Sequence, residues 1–183
     1  MGNSHQSPQQ EQALCVKCGL CCDGTLFDHA FLEKGEKPHI PSLMRERHFK
    51  TKNQDAFKLP CPYFDKKCTI YDQKKAQVCT SFRCELLARF SQTKIDSVKA
   101  LVLIEKAKTL RAEVFELYKR YTKKEITPSF KELRKEIFLE KERQDKGEKD
   151  NIFNLLYFKT NVLELFLIKH FKSDRAYKAL FKD

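Results

Sequence analysis

Glycine is scarce in this chain, with five residues in 183. Phosphate-cradling loops need glycine for close backbone approach, and neither G-x-G-x-x-G nor G-x-x-x-x-G-K-[ST] occurs. H-E-x-x-H and G-x-S-x-G are also missing, which removes the common zinc-protease and nucleophile-elbow chemistries. Residues 1–13 hold no basic stretch followed by an apolar run, so a secretory signal is not expected. The most apolar late stretch, IFNLLYFKTNVLELFLI, is interrupted by Lys159 and Glu164. It reads as a buried helix, so no membrane association is expected and the expected compartment is the cytoplasm. No internal repeat or low-complexity tract appears.

What the chain does have is sulfur. All eight cysteines fall between Cys15 and Cys84, and CVKCGLCC packs four of them into positions 15–22. In a cytoplasm that keeps thiols reduced, and with Cys21 and Cys22 adjacent, metal ligation is the better expectation than four disulfides. In chain order the candidate ligands form two groups of four: Cys15, Cys18, Cys21 and Cys22, then Cys61, Cys68, Cys79 and Cys84. A C-x-x-C spacing lets two thiolates reach one ion across a tight turn, and Gly19 can supply a positive φ there. Backbone N–H groups in such a turn can point at sulfur and orient it.

Two metals suit the pattern. Zinc would take the eight sulfurs as two closed tetrahedral sites that add folding free energy to a segment with little apolar core. Iron would use Cys15, Cys18 and Cys21 as a C-x-x-C-x-x-C run, with a remote cysteine followed by proline, as Cys61 is by Pro62. Spacing leaves both open, including an iron–sulfur cluster.

The segments CVKCGLCC and CPYFDKKCTIYDQKKAQVCTSFRC resemble the two halves of the signature of the YkgJ-type cysteine-cluster family, a zinc- or iron-chelating domain, over about residues 14–88. The family's Arg-Pro pair before the seventh cysteine is absent here, and DQKKAQV is one residue longer. The resemblance implies metal binding by the eight cysteines and little about mechanism.

The formal charge is +11, from 36 Lys plus Arg against 25 Asp plus Glu. Residues 1–90 contribute 14 and 10, a net of +4. Eight thiolates around two divalent ions would add about −4 and cancel it. Lys17, Lys66, Lys67, Lys74, Lys75 and Arg83 could offset sulfur charge or simply be solvated. His29, His39 and His48 lie between the cysteine groups and read as loop or surface residues, as does His170 on a late helix.

Four of the six prolines lie between Cys15 and Cys84, where helical periodicity is hard to find. After Cys84 the pattern turns helical. Ala100, Leu103, Ala107, Leu110, Val114, Leu117 and Tyr121 form one face of a helix expected over about 94–123. A second helix starts at Thr127-Pro128, or at Ser129 with Glu132 as a capping box, and stops near Gly147. Asp150 caps a third, whose apolar residues nearly encircle it, and a short terminal helix after Ser173 is a further expectation.

The expected fold is thus mainly α: a small, irregular, metal-organised cysteine module followed by, and packed on, a C-terminal helical hairpin or bundle. Its divisions are a flexible tail (1–13), the metal-binding module (14–90) and the helical region (91–183). The leading function is metal binding through the eight cysteines, with zinc or iron serving structure, an interaction surface for a protein partner, or metal handling. The alternatives are an iron–sulfur redox or protein-modifying enzyme and a zinc-stabilised nucleic-acid binder; whether the chain is an enzyme at all stays open.

Overall fold

A computed structural model describes residues 8–125, 127–144 and 150–172. Helix α1 (Pro8–Cys18) leads into a three-stranded antiparallel sheet built from β1 (His29–Phe31), β2 (His48–Lys50) and β3 (Asp55–Lys58), with β3 in the centre. The short helix α2 (Ser42–Glu46) precedes β2. A two-stranded ribbon, β4 (Phe64–Asp65) and β5 (Lys67–Cys68), follows, then α3 (Val78–Ser81) and α4 (Glu85–Ser91). The remainder is helical: α5 (Ser97–Thr122), α6 (Phe130–Gln144) and α7 (Asn151–His170). The mainly helical class is as expected.

Each long helix starts where its side chains can satisfy free N–H groups. The Asp96 carboxylate accepts from the Lys99 N–H at 2.7 Å, and Asp150 accepts from the N–H groups of Ile152 and Phe153 at 2.7 and 3.2 Å. For α6 the chain uses Ser129 and Glu132 rather than Thr127-Pro128: the Ser129 N–H donates to Glu132 at 2.8 Å and the Glu132 N–H to Ser129 Oγ at 3.3 Å. The end of α6 near Gly147 and the helix expected after Ser173 lie outside the described residues.

Helices α5 and α7 run antiparallel, since Glu113 pairs with Lys159 at 2.7 Å while Tyr121 meets Phe153 at a ring separation of 5.4 Å. The buried face of α5 is Ala100, Ile104, Ala107, Leu110, Val114 and Tyr118. It therefore centres on Ile104 and Tyr118 rather than on Leu103, Leu117 and Tyr121, which pack only at its edge. Helix α7 buries Phe153, Leu156, Leu163 and Leu167 on one side and exposes Leu155, Phe158 and Leu165 on another, so it is less enclosed than its composition suggests.

Two apolar cores result. The large one joins α4–α7 with Leu14, Leu20 and Leu26 from the first cysteine stretch. The second gathers Leu32, Ile40, Met44, Phe57, Leu59, Cys61, Ile70 and Ala76 around the sheet. The cysteine-bearing half thus has its own oily interior, which the sequence expectation denied it: these residues are spaced irregularly by loops and short strands, so no periodicity reveals them. The cores do not divide at residue 90 either, because Leu86, Leu87 and Phe90 of α4 belong to the large one. Residues 8–13, expected in a flexible tail, form the first turns of α1, where Glu11 is buried and ion-paired with Arg83 at 2.7 Å. Residues 1–7 lie outside the described residues.

Candidate metal centre

Three stretches carry the eight cysteines, of which Cys18, Cys21 and Cys84 pack in or on the large core and Cys22, Cys61 and Cys68 in or on the small one. Cys15 and Cys18 stand one turn apart at the end of α1, and a spacing of three puts both on one helical face. The C-x-x-C pair is thus helical, not the isolated knuckle expected. Gly19 ends the helix in the left-handed region at φ +69°, its N–H donating to the Cys15 carbonyl at 3.1 Å. The chain then coils through Cys21 and Cys22, with the Asp23 N–H donating to the Gly19 carbonyl at 2.9 Å and the Leu26 N–H to the Leu20 carbonyl at 2.9 Å.

The other two stretches dock on this coil. The Cys61 N–H donates to the Cys22 carbonyl at 2.7 Å. Cys68 pairs with Phe64 across the ribbon, Cys79 lies in α3, and Cys84 is the N-cap of α4. All eight are free thiols. Cys15, Cys18, Cys21, Cys22 and Cys84 line one apolar cavity of about 40 Å³ beneath Leu14, Leu20 and Ile104.

Two ion pairs brace the cysteine stretches. Arg111 on α5 contacts Asp23 at 3.0 Å and Thr25 Oγ1 at 2.8 Å, with its guanidinium 4.2 Å from the Phe115 ring centre. Burial raises the Asp23 carboxyl pKa even against the opposing pull of Arg111. Arg83, held by Glu11, stands beside Cys15. Sequence reading missed Arg111 and Arg47, the latter beside Cys61, because nothing local marks a contact between residues so far apart. Of the six cations proposed to offset sulfur charge, Lys75 and Arg83 do act on cysteines.

Burial dominates the thiols. It pushes Cys18 up to about 12, with the neighbouring Cys84 and Cys15 adding to the shift and the Leu20 backbone N–H opposing it. Burial likewise raises Cys21, Cys22, Cys61 and Cys84. Backbone N–H groups favour the thiolate at Cys61, from Tyr63, and at Cys84, from Leu87 and Leu86. Those amides are the orienting groups expected of a thiolate site. Two of the histidines are engaged away from the cysteines: His29 contacts Asp28 at 2.8 Å and His48 contacts Asp55 at 2.7 Å, both histidines on the sheet.

Among the described residues, no three His, Cys, Asp or Glu side chains converge tightly enough to hold an ion as they stand. The donor set nonetheless fits a thiophilic metal. Five of the cysteines line one cavity, backbone amides already favour thiolate at three of the eight, and a change of χ1 well moves a cysteine sulfur by about 3 Å without backbone movement.

Two consequences are measurable. Without metal, Cys18 stays protonated in the folded chain up to about pH 12, whereas the unfolded thiol ionises near its ordinary value of 9.0. Between those values only the unfolded chain releases the proton, so stability is full below about pH 9 and falls by up to about 1.4 kcal/mol per pH unit above it. Urea midpoints of the metal-free chain should drop between pH 8 and 10.5; a flat profile would contradict the burial. Second, a Cβ on Gly19 would sit 2.5 Å from Phe64 Cζ in a left-handed backbone. Gly19→Ala should cost about 1–3 kcal/mol in urea unfolding, from left-handed strain and displacement of Phe64. A neutral substitution would contradict that packing.

No known protein family, curated protein or solved structure matches this chain.

Proposed function

We propose that the protein binds a thiophilic metal, zinc or iron, the latter including an iron–sulfur cluster, through Cys15, Cys18, Cys21, Cys22, Cys61, Cys68, Cys79 and Cys84. The metal's role in this reading is to tie the seam between the two cores together, or to be held there for transfer to a protein partner. One observation supports the reading: residues as distant as Cys15, Cys18, Cys21, Cys22 and Cys84 line one cavity, and Cys22 packs with Cys61 and Cys68 on the small core. Ionised together without a cation they would repel strongly, and a bound metal supplies the positive charge that lets them coexist as thiolates.

Nucleic-acid binding draws no comparable support. In the helical half Lys119, Lys124, Lys131, Lys159 and Arg134 each pair with a carboxylate, so these five present no free charge to a phosphate. Among the described residues no helix is long and apolar enough to cross a membrane.

The test is limited proteolysis of anaerobically prepared protein with and without a strong chelator. Removing metal should open trypsin sites between residues 28 and 83 while α5 and α7 resist. Identical digestion patterns would contradict a structural role for metal.

A further inference from the structure

Chain order suggests that the first four cysteines make one centre and the last four another. The packing divides them differently. Cys84 lies in the large core, and Cys18 and Cys21 pack against that same core. Cys61 lies in the small core, where Cys22 and Cys68 pack. Cys21 and Cys22 are adjacent and both reach the cavity wall, yet Cys21 packs against the large core and Cys22 against the small one.

The mutual electrostatics of the thiols follow the same division. Cys84 is the thiol that acts most on Cys18 and Cys21. Cys79 follows Val78, which packs on the small core, and its N–H donates at 2.9 Å to the carbonyl of Ala76 in that core; Cys61 and then Cys79 act most on Cys22, while Cys61 and Cys68 act most on Cys79. Cys15 stands near both sets: Cys68 acts on it, and the cavity wall it shares with Cys18, Cys21 and Cys84 includes Cys22 as well. Its place on α1 between Cys18, one turn on, and Leu14 of the large core puts it with the first set.

We propose that the eight thiols form two separate four-sulfur centres whose membership crosses chain order: Cys15, Cys18, Cys21 and Cys84 in one, and Cys22, Cys61, Cys68 and Cys79 in the other. This rests on the metal-binding reading above and adds the assignment of ligands. Each set then has the same composition: one buried cysteine (Cys84 or Cys61), two half-buried, and one with exposed surface (Cys15 or Cys79). The exposed cysteine marks the side from which an ion would enter each set. The Cys21–Cys22 peptide couples the two centres mechanically, and the Cys61 N–H bond to the Cys22 carbonyl fixes two ligands of the second centre to each other. Filling one centre therefore helps to fix the backbone of the other.

The full chain, reduced and loaded anaerobically with zinc(II), tests the assignment by double substitution. Wild type should hold two equivalents. C18S/C84S removes two ligands from one centre and should retain one equivalent, as should C22S/C61S. C18S/C22S removes one ligand from each and should retain none. Under chain-order grouping the outcomes exchange: C18S/C22S keeps one equivalent and C18S/C84S keeps none, and that result overturns the assignment while leaving metal binding intact. A wild-type chain that takes up no zinc overturns the metal-binding reading itself. A single equivalent lost in every variant overturns the two-centre arrangement.

Iodoacetamide labelling of the zinc-loaded single variants, mapped by mass spectrometry, reads the same division without relying on a double variant to fold. C22S should expose Cys61, Cys68 and Cys79 and leave Cys18, Cys21 and Cys84 protected, and C84S should do the reverse. Labelling of Cys18 and Cys21 in C22S would overturn the proposal.

Discussion

Replacing Cys61 by serine should cost far more in the metal-loaded protein than in the metal-free one. Without metal the change exchanges a nearly buried thiol for a hydroxyl in a small core beside Leu59 and Ile70, and the backbone bond from residue 61 to the Cys22 carbonyl survives. Burying that hydroxyl costs about 1–3 kcal/mol. With metal, the same change removes one ligand of four from a centre whose contribution to folding is on the order of 10 kcal/mol. Unfolding of wild type and C61S, each with zinc and after chelation, separates the two terms. The gap between wild type and variant should widen by several kcal/mol on loading, with one equivalent of zinc lost. An equal gap in both states would mean that Cys61 is a packing residue and nothing more. Cys18, which packs on the larger core, should disturb α1 and the helices as well when replaced, so the two cysteines are not interchangeable probes.

Phe153→Ala should destabilise the helical half by about 3–5 kcal/mol. The side chain is fully enclosed, with Tyr121 and Tyr157 rings at 5.4 and 6.4 Å, and sits where α7 crosses the end of α5. The Asp150 cap is untouched, because Phe153 contributes only its backbone N–H to it. The control is Phe158→Ala on the same helix. Its ring is 61 % exposed, so the change should stay within about 0.5 kcal/mol. Chemical denaturation followed by far-UV circular dichroism compares the pair, and similar losses at the two positions would contradict the orientation of α7. Metal should not alter the cost at either site, in contrast to Cys61.

The helices were largely legible in the sequence because local signals specify them. Asp150 and the Ser129-Glu132 pair bond to N–H groups within three residues, and the apolar repeat of α5 needs only its own helix to define a face. Errors arose where a neighbour decides the outcome. Ile104 and Tyr118 displace Leu103 and Leu117 from the centre of the buried face because other elements meet them: Ile104 lines the cavity with Leu14, Leu20 and the first cysteines, and Tyr118 donates to Glu136 of α6. Helix α1 was hidden because its polar residues gain order from partners elsewhere, above all Glu11 from Arg83. The small core was hidden for a similar reason: Leu32, Met44, Phe57 and Ile70 come together only once the sheet and ribbon have formed.

The candidate site shows the same split. The eight cysteines and Gly19 could be picked out by residue type and spacing. Which core each sulfur packs against could not, because chain neighbours part: Cys21 packs on the large core and Cys22 on the small one, with Cys61 and Cys68. Arg111 was invisible for the same reason: its partners Asp23 and Thr25 lie at the far end of the sequence.

Elemental analysis of protein purified without exposure to oxygen bears most directly on whether this sulfur seam is a metal centre. Zinc or iron bound in a fixed ratio to the chain, released together with the appearance of reactive thiols, is the expected result. Protein that carries neither element, and whose fold and thiol reactivity are indifferent to chelators, would contradict it.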